Sequence, residues 1–80
     1  MAYTLNQLAE GSYDILLHGQ IIGSLVADPW YWSNWTAELL SEVEPPQRPA
    51  PFVETEHTFS TLEDVLIWLG SPEVRDGEYS

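Results

Sequence analysis

Tyr13-Asp14-Ile15-Leu16-Leu17-His18-Gly19-Gln20-Ile21-Ile22-Gly23-Ser24-Leu25-Val26-Ala27 is the stretch on which the reading of the fold turns. In its first half Tyr13, Ile15 and Leu17 point one way and Asp14, Leu16 and His18 the other, the period of two that a half-buried strand requires. Gly19-Gln20 supplies a glycine-first two-residue connection. Residues 21–27 are rich in β-branched and aliphatic side chains, so the two runs form a hairpin. Gly23 inside the second strand marks a bulge or the close approach of another backbone. Asp28-Pro29 ends the unit.

Such a sheet needs a third strand to stand alone. Trp35, Ala37 and Leu39 alternate with Thr36, Glu38 and Leu40 as that strand would, although Trp35, Leu39, Leu40 and Val43 also fit a helical stripe. The need for a partner favours the strand over 35–43. Prolines 45, 46, 49 and 51 then make a stiff, solvated loop. Residues 52–59 alternate again, with Phe52, Glu54 and Glu56 opposite Val53, Thr55, His57 and Phe59, and predict a fourth, edge strand.

Ser60-Thr61-Leu62-Glu63 has the form of a capping box with Ser60 as N-cap. Leu62, Val65, Leu66 and Leu69 line one face of the helix that follows over 61–69, and Gly70 and Pro72 stop it. At the other end Thr4-Leu5-Asn6-Gln7, with Gly11 beyond it, reads as one or two helical turns. The expectation is an α+β domain: an antiparallel sheet of three to four strands, a C-terminal helix packed on one face and a short N-terminal helical turn. It spans residues 1–70, with 71–80 as an acidic flexible tail.

Composition narrows the function. Eighty residues with four Trp, four Tyr and two Phe fill one small core, and the absence of cysteine removes disulfides and thiolate metal sites. Thirteen Asp plus Glu against two basic residues, Arg48 and Arg75, give a formal charge of −11, where a small domain ordinarily carries a magnitude of about 2 to 8. That surplus disfavours direct binding to nucleic acid or anionic membrane and favours a basic partner. No signal-like or membrane-spanning run interrupts the chain, so cytosolic residence is expected.

Catalysis finds little here. With no Cys and no Lys, a nucleophile must come from Ser, Thr, Tyr or a carboxylate, and no nucleophile elbow, phosphate-binding glycine loop or metalloprotease helix occurs. Glu54-Thr55-Glu56-His57 has ligand-like density, yet on a strand His57 points away from the two glutamates, so no metal site is expected. Cofactors are expected to be none, and the chain is read as a non-enzyme.

Two groups remain as candidate partner-binding residues. On a strand, residues i and i+2 lie about 6.6 Å apart on one face, a spacing suited to imitating successive phosphates. Glu42 with Glu44 and Glu54 with Glu56 have it, and Glu38 extends the first row. Trp30 and Trp32 lie in an aromatic run, Trp30 to Trp35, that cannot all face inward from one strand, and they supply apolar contact that survives salt. The bland readings are a solvated acidic face that maintains solubility and aromatic rings that fill the core.

A small, acidic chain with neither cysteine nor lysine and no catalytic motif resembles the phage-encoded anti-CRISPR and anti-restriction inhibitors. In particular it resembles the short anti-CRISPR proteins directed at the multi-subunit type I surveillance complex, of the DNA-mimic kind. The resemblance implies binding to a Lys- and Arg-lined groove of the effector, exclusion of target DNA, and residence in the cytoplasm of a bacterial host, as monomer or homodimer. The competing expectation is an acidic adaptor or antitoxin-like module that uses an exposed Trp/Tyr patch.

Overall fold

A computed structural model of the chain describes residues 3–28, 34–40 and 49–76. Over these the elements run Tyr3–Ala9 (β1), Ser12–Leu17 (β2), Gln20–Ala27 (β3), Trp35–Leu39 (β4), Glu56–Phe59 (β5), Leu62–Trp68 (α1) and Glu73–Asp76 (β6). All six strands join one sheet in the order β5-β4-β3-β2-β1-β6. Neighbours are antiparallel except β6, which lies parallel to β1. The architecture is therefore a six-stranded mixed sheet with one seven-residue helix, and the three- to four-stranded antiparallel sheet with a packed C-terminal helix is corrected.

Three local readings account for that correction. The N-terminal helical turn is strand β1. Thr4 and Gln7 mimic a capping box, but Tyr3 and Leu5 are buried while Thr4 and Asn6 are half-exposed, which is strand alternation. Gly11, read as a helix stop, sits at φ 77° in the two-residue connection between Ala9 and Ser12. The tail expected from Ser71 contains strand β6, which pairs Val74 with Leu5. Only the front of 52–59 departs from strand: residues 53–55 bend, and β5 begins at Glu56.

The hairpin at the centre turns one residue earlier than expected. Leu17 pairs with Gln20, and the connecting His18 and Gly19 both have positive φ, 52° and 83°, the backbone signature of the tight turns that suit the right-handed twist of paired strands. Register then shifts between Ile15 and Leu16, so that Ile15 faces Gly23 and Leu16 faces Ile21, leaving Ile22 as the extra residue of a bulge. Gly23 lies against the Glu38 backbone of β4.

Helix α1 is capped by Thr61 rather than Ser60: its Oγ1 accepts from the Asp64 amide at 3.1 Å. Glu63 and Asp64 place negative charge in the first turn, where the backbone dipole favours it. At the other end the Gly70 amide donates to Ile67 and the Ser71 amide to Leu66, with Gly70 at φ 82°, the paired bonds of a Schellman ending. Val65 and Leu69 are the buried residues here.

The alternation gives the sheet one inner face. Leu5, Ile15, Leu25 and Ala37 line it with no exposure, flanked by Tyr3, Tyr13, Trp35 and Leu39, and Phe52, Val65 and Leu69 cover it from the segment that follows. The other face is covered by no element among the described residues. No described helix is long and apolar enough to cross a membrane.

Candidate functional site: an acidic line across the open face

Pairing register fixes what the open face displays. Arg75 lies opposite Asn6, Asn6 opposite Asp14, Asp14 opposite Ser24, Ser24 opposite Glu38, and Glu38 opposite Glu56. One line of side chains thus crosses all six strands, stepping about 4.8 Å per strand. It carries one cation at the β6 edge and three carboxylates towards the β5 edge.

Glu38 and Glu56 are exposed and directly opposed, which brings their Cβ atoms within about 4.5–5.5 Å. Neither has a cationic partner among the described residues, whose one ion pair joins Arg75 to Glu73. There the guanidinium donates two hydrogen bonds, at 2.9 and 3.0 Å. Those bonds first, and the opposite charge second, hold the Glu73 carboxyl below its usual range and the Arg75 guanidinium above its own. The described positive charge is therefore engaged at the β6 edge, and Glu38 and Glu56 at the other have no cationic partner among the described residues.

The expected site residues divide accordingly. Glu38 and Glu56 come together, but across two strands rather than along one. Glu54 does not share a strand face with Glu56: it sits in the bend before β5, where its amide and that of Val53 donate to Nε2 of His57 at 3.1 and 3.2 Å. Glu42, Glu44, Trp30 and Trp32 lie outside the described residues. Asp14 is the member that sequence reasoning missed. Its strand position was legible, but its place in line with Glu38 depends on register. Acid is also present elsewhere, with Glu63 and Asp64 exposed on α1 and Glu10 exposed in the first hairpin.

Apolar side chains border the line. Ile21 and Leu40 are 50% and 65% exposed, and Val26 is exposed beside Thr36 in the next row. Of the aromatic run expected to supply the alternative Trp/Tyr patch, Trp35 is the described member: it is buried, its ring centroid 6.0 Å from that of the buried Tyr13, while Trp30, Tyr31 and Trp32 lie outside the described residues.

A cavity of about 260 Å³ opens on the covered side, lined by Tyr3, Ala50, Pro51, Trp68, Leu69 and Gly70. Among the described residues its one titratable group is the Tyr3 hydroxyl, which donates to the Ala50 carbonyl at 2.6 Å and is pushed by burial above its ordinary pKa. Among the described residues no group of three His, Asp or Glu is arranged to hold a metal ion.

No protein-family model, curated protein or solved structure matches the chain.

Proposed function

We propose that the protein is a non-enzymatic inhibitor that offers a DNA-like acidic surface to the positively charged groove of a nucleic-acid-binding effector. The target-DNA groove of a type I CRISPR surveillance complex, in the cytoplasm of a bacterial host, is the partner its charge and size fit. The observation that carries this reading is the opposed, exposed pair Glu38 and Glu56, which have no cationic partner among the described residues. Like charges directly across two strands cost stability, so a sequence free to place Lys or Thr at either position gains by doing so. Retaining both acids is explained by a cationic surface that meets them.

Spacing supports the same conclusion. Glu38 lies about 5 Å from Glu56 and about 10 Å from Asp14 across the strands. Successive phosphates of one DNA strand rise about 3.4 Å each along the axis while also winding around it, so a groove that grips phosphates has its cations at comparable separations. Charge attraction speeds encounter and sets salt dependence. The apolar border at Ile21 and Leu40 adds contact that salt does not screen.

The test is displacement of labelled target DNA from a purified type I surveillance complex. The wild-type chain is expected to release the DNA, and the Glu38→Lys/Glu56→Lys variant to do so about 100-fold less well, since losing two close charge contacts weakens an interface by roughly this much. Equal potency of the folded double variant contradicts the proposal.

A further inference from the structure

His57 carries a second device, one that stands whether or not the acidic face binds a groove. Its Nε2 accepts two backbone N–H groups at once, from Val53 at 3.2 Å and Glu54 at 3.1 Å. An imidazole nitrogen accepts only through its lone pair, so the ring is neutral in this arrangement and holds its proton on Nδ1. The ring also sits within an aromatic group, its centroid 4.8 Å from Trp68, 5.8 Å from Phe52 and 6.4 Å from Phe59. Phe52 is buried and Trp68 closes α1, so the imidazole ties the 53–55 bend to the segment that covers the core.

We propose that His57 is a proton-operated latch on this bend: the neutral ring accepts the Val53 and Glu54 amides, and protonation breaks both bonds. The imidazolium has a hydrogen on both nitrogens and no lone pair, so both bonds are lost in one event and two N–H groups are left facing a third.

The charges around the ring come from each neighbouring element. Glu54 lies in the bend itself and Glu56 precedes His57 on β5, directed to the opposite face; β4 places Ala37 across from the ring and Glu38 next to it on the open face. Helix α1 presents Trp68, with Glu63 and Asp64 at its far end. No carboxylate among the described residues hydrogen-bonds the ring. Release frees the bend carrying Glu54 and leaves the β4–β5 pairing of Glu38 with Glu56 intact.

Amide exchange and ring titration by NMR on the full chain test this. Below the midpoint of the His57 ring titration, the Val53 and Glu54 amides are expected to exchange about tenfold faster than their intrinsic rates predict, as loss of a hydrogen bond of ordinary net strength implies. His57→Gln keeps an acceptor but not the titration, and is expected to abolish the pH response; His57→Phe keeps the ring but no acceptor, and is expected to leave the Glu54 amide fast at every pH. Unchanged protection of the two amides across the ring titration of the wild-type chain overturns the proposal, as does an equal response in folded His57→Gln. If neither variant folds, the wild-type chain decides alone: a shared midpoint for the ring and both amides supports the latch, and separate midpoints overturn it.

Discussion

Gly23→Ala is expected to destabilise the protein by about 3 kcal/mol, at the upper end of what overpacking costs. A Cβ at this position overlaps the Glu38 carbonyl oxygen and comes within 3.2 and 3.3 Å of the Glu38 carbonyl carbon and Leu39 Cα. All three are backbone atoms of β4, so no side-chain rotation relieves the clash. Either the β3–β4 ladder opens or the bulge at Ile22 is re-formed, and both routes move Glu38 relative to Glu56. Gly19→Ala makes the informative contrast: nothing lies within 4 Å of its added carbon, and the cost is the left-handed backbone alone, about 1 kcal/mol. Urea unfolding of the two variants measures the difference. Equal losses would show that close approach to β4 is not what requires glycine at position 23.

Ending the chain at Ser71 is expected to cost about 3 kcal/mol, at roughly 1 kcal/mol for each ladder hydrogen bond lost, and to make the protein associate. Four register pairs, from Thr4 with Glu73 to Gln7 with Asp76, join β6 to β1. Without them β1 becomes an open edge carrying unpaired backbone groups beside the buried Leu5, which invites pairing between chains. A chain ending at Asp76 retains the strand and is expected to match the 80-residue chain. Size-exclusion chromatography with urea unfolding distinguishes them. A Ser71-terminated chain as stable and monodisperse as the full one would mean that β6 contributes nothing to the fold.

These two cases mark what the residues reveal by themselves. The central hairpin was legible because Tyr13, Ile15 and Leu17 repeat every second position and the glycines near the turn leave few alternatives. Strand β4 followed from the same alternation once the hairpin required a partner. Strand β1 was hidden because Thr4, Gln7 and Gly11 carry signals that caps and turns share, so a hairpin glycine passed as a helix stop. Strand β6 was hidden for a different reason: Val74 is its one apolar residue, and no periodicity can be read from one. It forms because β1 offers an unpaired edge, a tertiary cause with no local trace.

The site shows the same division. That acid accumulates was plain from composition, and Glu38 and Glu56 were both singled out. Their direct opposition was not, because 18 positions separate them and register across so long a connection is set by which faces are buried. A spacing argument along one strand therefore chose Glu54 as the neighbour of Glu56, whereas pairing across strands supplies Glu38 and, further along, Asp14.

The account's central claim is that the opposed acids are kept for a cationic partner at the expense of stability. Glu56→Lys separates the two quantities in one molecule, because an opposite-charge pair across β4 and β5 replaces a like-charge pair. The variant is expected to gain about 0.5 kcal/mol in urea unfolding, within the range for cross-strand pairs. Its displacement of target DNA from the surveillance complex, measured alongside, is expected to fall at least about tenfold, as removal of a close charge contact does. A Glu56→Lys protein that is more stable and still displaces DNA at wild-type potency would contradict the claim.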